Sequence, residues 1–230
     1  MVMNKMNYIK TLLKGFLAGI AISFGGWLCL KTNIVSENNV LGSFLFAFGL
    51  ILICNFDFYL YTGKVCYLFD KKEEKYSKRI IDLLIILGGN LLGTLFFSSL
   101  LRFVLQDNDT NNLLMTNLIS SVTGKINYSW YQMIGLSFFC GALVYIAVEG
   151  FKKIDNMFGK YVVLFLAIGG FIISGFEHSI ANMFYYFLSG NYGINALLSL
   201  LLCVIGNSLG GLFIPLINKI INYNKKNEEK

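Results

Sequence analysis

The residues of this chain best suited to chemistry are Glu177 and His178, an acid beside the chain's only histidine. They lie in the stretch 175–183, between long apolar runs. Ionisable groups are costly in such surroundings, so a sequence that keeps them there usually uses them. Burial favours the neutral imidazole, which can donate a hydrogen bond, and an arriving anion favours the imidazolium. The pair therefore predicts a site for hydrogen bonding or proton transfer within an apolar segment.

Adjacent helix residues point in different directions, so the two side chains should not face the same cavity. If His178 faces the cavity, we expect Glu177 to point away. There it would accept hydrogen bonds from backbone donors that a helix break leaves free. A lone histidine in a soluble core is more often structural, whereas a membrane segment favours the functional interpretation.

Membrane segments carry this pair. The chain is 56% hydrophobic and only 14% charged, whereas soluble domains carry roughly a quarter charged residues. Apolar runs of about 20 residues, enough to span a bilayer, recur along it. We predict an all-α integral membrane fold with six segments, at about 13–30, 41–69, 80–105, 128–149, 160–189 and 194–217. The second and fifth are too long for one span, and polar residues interrupt both.

The basic residues predict the orientation. Sixteen of the nineteen lie before or at the start of segment one, from the end of segment two to segment three, from segment four to the start of segment five, or after six. Lys31, Arg102 and Lys125 lie on the other side. The positive-inside rule then predicts a multi-pass protein of a bacterial inner membrane with both termini cytoplasmic, and we expect no cleavable signal peptide. The bias accounts for the net charge of +6, and no basic-aromatic surface suggests nucleic acid.

The cysteines give no sign of a metal or redox site. All five are scattered through apolar segments without a CxxC pair. Free cysteines of this kind are usually small hydrophobic core residues. We expect neither a metal nor a cofactor.

A short motif recurs half a chain later. The stretch 89–96 (GNLLGTLF) reappears as 206–213 (GNSLGGLF), a shift of 117 residues. Three spans separate the copies, so the halves, about 13–105 and 128–217, should be inverted repeats within a single domain, 1–230. The glycines allow close helix approach, and the asparagines can bind backbone groups where a neighbouring helix breaks. The alternative is a chance match between small-residue packing motifs.

The same shift relates the two long segments, because it places Thr62 at Ser179. The polar interruption at 55–63 thus corresponds to 174–179. Paired broken helices near the midplane indicate a permeation site, since broken backbone at that depth lines a cavity or is buried in protein. Half-helices that begin there would aim their positive dipole ends into the site.

These features resemble the formate/nitrite transporter family, which includes hydrosulfide channels. Residues 175–183 resemble its signature on the fifth helix, residues 60–63 resemble the loop that interrupts its second helix, and the Gly-Asn motifs also fit. The resemblance covers essentially the whole chain. It implies an aquaporin-like protomer, a homopentamer in a lipid bilayer with one pore per protomer, and passage of formate, nitrite or hydrosulfide, passive or proton-coupled.

The resemblance also implies roles for five polar residues. His178 would face the middle of the pore with Thr62 opposite, whose hydroxyl could bond the substrate, the loop backbone or His178. Lys125 would lie near the pore and raise the local anion concentration, although snorkelling at the interface is the plainer role of such a lysine. Glu177 and Asn182 would support the broken helix.

Four apolar residues would narrow the pore. Phe46 and Leu50 would form the cytoplasmic constriction, and Leu60 and Phe171 the periplasmic one. Without the resemblance, such side chains would be assigned to the core or to lipid. Asp57 departs from the family pattern, and we expect it to cap the half-helix near Thr62 or to act as a functional intramembrane carboxylate.

Two other functions remain open. A water or polyol channel of the aquaporin class shares the six spans and two half-helices but needs paired Asn-Pro-Ala signatures, and Pro215 is the chain's single proline. An intramembrane enzyme could use Glu177 and His178, but no HExxH motif or second histidine supplies a metal site.

Overall fold

The chain forms α-helices joined by short connections in the computed structural model. The structure describes residues 2–69 and 75–228, and the side chains of residues 7–69 and 75–222. The helices are α1 (Val2–Ser36), α2 (Asn39–Asn55), α3 (Tyr61–Lys64), α4 (Tyr76–Val104), α5 (Asp109–Ile126), α6 (Trp130–Lys153), α7 (Met157–Ile173), α8 (Ser179–Ser189) and α9 (Ile194–Glu228). A 3-10 turn, Val65–Tyr67, follows α3. Within the described ranges the fold is all-helical.

Four helices in the described part of the chain are long and apolar enough to cross a membrane: α1, α4, α6 and α9. Two shorter apolar helices, α2 and α7, have 17 residues each. After a few non-helical residues the chain becomes helical again as α3 and α8 respectively. The predicted segments two and five therefore each contain two helices.

Helix α5 lies between the predicted segments three and four, where the sequence analysis assigns no element. Asn, Ser and Thr dominate residues 108–124, which hides the helical pattern. Its buried residues Leu114, Leu118 and Val122 nevertheless recur every four positions. This stripe packs against α1, α8 and α9. The helix carries Lys125 in its last turn.

Close helix pairs hold the bundle together. Helix α1 packs along α4, and α6 packs along α9. At Gly93 an added Cβ would lie 2.1 Å from the Phe16 carbonyl oxygen, and at Gly210 it would lie 1.8 Å from that of Phe138. Only glycine allows backbones to approach so closely. The repeated motifs thus serve the same packing role in α4 and α9.

Basic side chains gather at one end of the bundle. Lys14 and Lys64 both pair with Asp57, at 2.5 and 3.8 Å, and Lys152 lies 4.0 Å from the centre of the Tyr67 ring. This basic end joins the first half of α1, the 56–60 connection and the end of α6. Among the sixteen basic residues assigned to this side, Lys71, Lys72 and Lys230 lie outside the described residues.

Candidate functional site

The second halves of the two interrupted segments meet inside the protein. Thr62, near the start of α3, and His178, which precedes α8, are 0% and 3% exposed. The Thr62 Oγ1 and His178 Nε2 atoms lie 2.9 Å apart, within hydrogen-bonding distance. The contact joins residues 116 positions apart. Thr62 and His178, predicted to be opposite each other, are thus in direct contact.

The backbone of α8 fixes the tautomer of His178. The Ala181 amide donates a hydrogen bond to His178 Nδ1 at 3.2 Å, so His178 is the N-cap of α8. Because an amide can only donate, Nδ1 must be unprotonated, and the neutral ring carries its proton on Nε2. Nε2 therefore donates to Thr62 Oγ1, and the Thr62 hydroxyl keeps its own hydrogen for another acceptor.

Two buried asparagines stabilise the non-helical connections. Asn90 accepts from the Tyr61 amide at 2.9 Å and donates to the carbonyls of Gly15 and Tyr59. Asn207 accepts from the Ser179 amide at 2.8 Å and donates to the carbonyls of Ser137 and Glu177. Each side chain thus satisfies two backbone groups at the connection that a helix leaves unpaired, and also bonds to a carbonyl of a neighbouring long helix. This agrees with the expectation that these asparagines bind freed backbone groups.

The two connections also have the same backbone geometry. The Phe58 amide bonds to the Ile53 carbonyl, and the Phe176 amide bonds to the Phe171 carbonyl. Between them, Asp57 and Gly175 have φ values of +51° and +68°. A residue in this left-handed conformation closes the end of a helix in the manner of a Schellman motif. The matching positions differ by 118 residues, one more than in the Gly-Asn motif, so Tyr61 rather than Thr62 corresponds to Ser179.

Glu177 forms side-chain contacts instead of the predicted bonds to free backbone donors. Its carboxylate is 1% exposed and accepts from Lys125 Nζ on both oxygens, at 2.6 Å each. Asn182 donates to the same carboxylate at 2.8 Å. The prediction was wrong because Asn207 and His178 already take the backbone amides at the start of α8. Lys125 is paired rather than snorkelling, with its side chain 20% exposed.

The four predicted constriction residues are all buried, with 2% exposure or less. Their expected pairing is wrong. The ring of Phe46 packs edge-on against that of Phe171, with 5.9 Å between the ring centres. The centre of the Phe171 ring also lies 5.9 Å from that of the His178 ring. Leu50 lies one helical turn from Phe46 along α2. Phe46 and Phe171 thus form one apolar pair beside the histidine.

Leu60 lies away from Phe171, at the basic end. It lines a cleft of about 180 Å³ together with Lys64 and Lys152. The reason is the position of the first connection, where the Tyr59 amide bonds to the Lys14 carbonyl near the start of α1. Leu60 therefore belongs to the end that carries the lysines, which the positive-inside rule assigns to the cytoplasm.

Asp57 does not cap α3, contrary to expectation. Its side chain is 67% exposed and pairs with Lys14 and Lys64. The residue that precedes α3 is Leu60, which makes no side-chain capping bond. The positive φ of Asp57 explains the position instead, because aspartate tolerates the left-handed conformation better than most residues.

Some supporting residues were missed in the sequence. Ser137 donates to Cys203 Sγ at 3.1 Å, and Cys203 lies 3.5 Å from the Glu177 carbonyl. Lys31 donates to Asn111 at 2.8 Å and thereby joins α1 to α5. For Ser137, Cys203 and Lys31, the available signal was a polar side chain within a long apolar helix. Cys203 lies four residues before Asn207, one helical turn away.

Comparisons with known proteins agree on the family. A sequence model described as formate/nitrite transporter matches residues 2–220. The formate channel FocA of Haemophilus influenzae is 24% identical over 189 residues, which cover 79% of this chain and 66% of that protein. An uncharacterised transporter of Bacillus subtilis, YrhG, is 27% identical over 241 residues, covering 98% of this chain and 90% of that protein. The chain spans just under two thirds of the length of the formate channel FocA that it matches.

Solved structures show the same fold. A pentameric formate channel with formate bound superposes with a TM-score of 0.85 at 23% identity, covering 95% of this chain and 99% of that chain. The relatives are channels and transporters rather than enzymes. Because the family match spans nearly the whole sequence, the chain is an integral membrane protein of the formate/nitrite transporter family.

Proposed function

We propose that the chain is a transmembrane channel for small monovalent anions of weak acids. Formate is the first candidate, because formate channels are among its relatives, with nitrite and hydrosulfide as further candidates. The observation that carries the proposal is the buried contact at 2.9 Å between Thr62 and His178. It provides hydrogen-bond donors in an apolar interior, where an anion otherwise loses its hydration at a large free-energy cost.

The proposed architecture has six spans in two inverted halves, about 13–105 and 128–217, within one domain. Four spans are the long helices α1, α4, α6 and α9, and the other two are the broken pairs α2–α3 and α7–α8. The equivalent roles of Asn90 and Asn207 support this arrangement. The shared backbone geometry at Asp57 and Gly175 also supports it. The protomer is accordingly aquaporin-like.

In this proposal the anion meets neutral hydrogen-bond donors at the midpoint of the pore. It displaces the contact between Thr62 and His178 and accepts from the Thr62 hydroxyl and from Nε2 of His178. The pair Phe46–Phe171 lies on one side of this point, and Leu50 and Leu60 lie towards the basic end. These apolar side chains exclude water and larger solutes from the passage.

Proton coupling makes a specific demand on His178. To hand a proton to the anion without becoming an imidazolate, the ring must first be doubly protonated. A proton on Nδ1 would displace the Ala181 amide and remove the N-cap of α8, which typically costs about 1 kcal/mol. We therefore assign His178 the role of hydrogen-bond donor, and treat proton transfer as the alternative that the pH dependence of flux will distinguish.

The lysines have different roles in the proposal. Lys64 and Lys152 line the cleft beside Leu60 and raise the anion concentration at that entrance. The charge of Lys125 is largely compensated by Glu177, so its main role is to hold the second connection in place together with Asn182. Lys125 and Glu177 thus position His178 rather than contact the anion.

The assembly and orientation are part of the proposal. Five copies would form a homopentamer in the bacterial inner membrane with the basic end in the cytoplasm. Large apolar side chains exposed on several helices, such as Leu84, Phe96 and Leu166, would face lipid or neighbouring protomers. Native mass spectrometry of the detergent-solubilised protein should give five copies per assembly.

Flux into proteoliposomes tests the function. The purified chain is reconstituted, and uptake of formate, nitrite and hydrosulfide is compared with that of water in the same vesicles. We expect at least one anion to enter much faster than into empty vesicles. Fast water flux with anion flux at the level of empty vesicles would instead indicate an aquaporin-type channel and refute the proposal.

A further inference from the structure

Arg79, near the start of α4, has two buried hydrogen-bond donors that the described part of the chain leaves unpaired. The residue is 6% exposed. Its Nη1 donates to the Leu68 carbonyl at 2.7 Å. Its Nε and Nη2 atoms find no acceptor among the described residues. Leaving such donors unsatisfied in the interior is unfavourable, so an acceptor is expected at this position.

The two free donors lie on one edge of the guanidinium group. Nε and Nη2 point their hydrogens in parallel, which is the geometry that binds two oxygens of one oxyanion. The third donor group, Nη1, holds the guanidinium in place through Leu68, and the Tyr76 ring lies 5.5 Å from its centre. The edge is therefore preorganised before any ligand arrives.

Arg79 lines a cleft that is large enough for a phosphate group. The cleft has a volume of about 370 Å³ and lies between the first turns of α1, the 3-10 turn and the start of α4. Its lining includes four cationic side chains, Lys10, Lys64, Lys78 and Arg79, and one carboxylate, Asp82. A doubly charged or strongly acidic ligand suits this excess of positive charge better than a neutral one.

Large apolar side chains are exposed on the two long helices that line the cleft. On α1, Ile9 and Leu13 are 56% and 55% exposed, and on α4, Ile80 and Leu84 are 49% and 60% exposed. In a membrane protein such residues face acyl chains, so lipid is expected beside the two helices that line the cleft. Basic pockets between transmembrane helices on the cytoplasmic side are typical sites for anionic lipid headgroups.

We propose that this cleft is a binding site for a phosphate oxyanion, held on the Nε–Nη2 edge of Arg79, with Lys10 contributing from the rim. An anionic phospholipid headgroup is the source that the exposed apolar side chains of α1 and α4 favour, and a soluble phosphate ester shares the same chemistry. The site is separate from the Thr62–His178 contact, so the proposal stands independently of the transported anion.

The test measures ligand-induced thermal stabilisation of the full chain in neutral detergent. The probes are short-chain phosphatidylglycerol, inorganic phosphate and short-chain phosphatidylcholine. A ligand that binds only the folded protein raises its melting temperature with concentration. We expect phosphatidylglycerol to stabilise the protein and phosphatidylcholine to do so much less. If inorganic phosphate stabilises the protein as much as phosphatidylglycerol does, the site is assigned to a soluble phosphate ester. If phosphatidylglycerol stabilises the protein and inorganic phosphate does not, the site is assigned to a lipid.

Variants link the effect to Arg79. Arg79→Lys keeps the charge but loses the two-donor edge, so we expect the midpoint concentration of the stabilising probe to rise about tenfold. Arg102→Lys is the matched control, because Arg102 lies on the same helix and donates from Nη1 to the Leu188 carbonyl at 3.1 Å. It should respond as wild type does. Lys10→Gln changes an exposed residue and should weaken binding severalfold without affecting folding.

Three results would overturn the proposal. The first is an equal response of wild type and Arg79→Lys, and the second is the absence of stabilisation by either phosphate probe. The third concerns Asp70, Glu73 and Glu74, which precede α4 in sequence and lie outside the described residues. Suppose that neutralising one of these carboxylates destabilises the protein as much as Arg79→Gln does, and that inorganic phosphate stabilises neither variant. An internal carboxylate is then the partner of Arg79.

Discussion

At the scale of single residues, the ion pair between Glu177 and Lys125 combines a fully buried carboxylate with a partly exposed ammonium. Removing one member leaves an uncompensated charge in the interior, which in buried pairs costs on the order of 3 kcal/mol. Lys125→Met and Glu177→Gln should therefore each lower the melting temperature of the purified protein clearly. The loss should be larger for Lys125→Met, because it leaves a charge on the more deeply buried group.

The double variant separates pairing from general damage. With both charges removed, the amide introduced by Glu177→Gln keeps an oxygen for Asn182, and no buried charge remains at the pair. We expect the double variant to be more stable than Lys125→Met alone. Additive losses from the two substitutions would show that the two side chains do not act as a pair.

His178 has two separable roles at the start of α8. Its Nδ1 caps the helix and its Nε2 reaches Thr62. Asparagine is among the best N-cap residues, whereas alanine cannot cap. His178→Ala should lose about 1 kcal/mol of stability, and His178→Asn should lose less because its side-chain oxygen replaces Nδ1. Thermal melting of the two variants checks this, and equal losses would refute the capping role.

At the scale of elements, the tight contact between α1 and α4 depends on particular glycines. A Cβ at Gly89 would lie 2.5 Å from the Leu12 carbonyl oxygen, whereas one at Gly88 would meet none of the described atoms within 4 Å. Gly89→Ala must push the helices apart and should cost about 1–3 kcal/mol. Gly88→Ala, the matched control, should be neutral or stabilise by up to about 1 kcal/mol, because alanine favours the helix. Equal melting temperatures for both variants would contradict the packing.

Much of the helical framework could be predicted from the sequence, because apolar runs and the Gly-Asn repeat are strong local signals. The repeat predicted that Asn90 and Asn207 bind the connections, and the hydrogen bonds are present in the structure. Helix α5 was missed because its polar composition resembles that of a loop and its buried apolar stripe contains only three residues.

The remaining site details depend on tertiary geometry. The place of Asp57 follows from a left-handed backbone conformation that sequence does not reveal, since glycine occupies the equivalent position 175. The pairing of Phe46 with Phe171 depends on the level at which α2 and α7 are interrupted. Likewise, the Lys125–Glu177 contact joins residues 52 positions apart through a helix that was not predicted.

At the scale of the whole molecule, the segregation of charge predicts the orientation. Lys14, Lys64 and Lys152 cluster at one end, and Lys31 and Arg102 lie near the connections around α5 at the other. A fluorescent protein fused to either terminus should therefore fluoresce, because it folds in the cytoplasm. Alkaline phosphatase inserted within 105–108 should be active, because that connection would face the periplasm. Activity of the enzyme at a terminus would contradict the orientation.

The central claim is that an anion crosses the molecule through the contact between Thr62 and His178. The most direct measurement is formate flux into proteoliposomes, over a range of pH, for wild type and His178→Asn. The matched control is Tyr186→Phe, which removes an equally buried bond of 2.9 Å to Ser199 away from the proposed passage. We predict that His178→Asn lowers formate flux about tenfold, since the shorter asparagine places no donor at the position of Nε2, while Tyr186→Phe stays close to wild type. Unchanged flux and pH dependence in a folded His178→Asn protein would contradict the account.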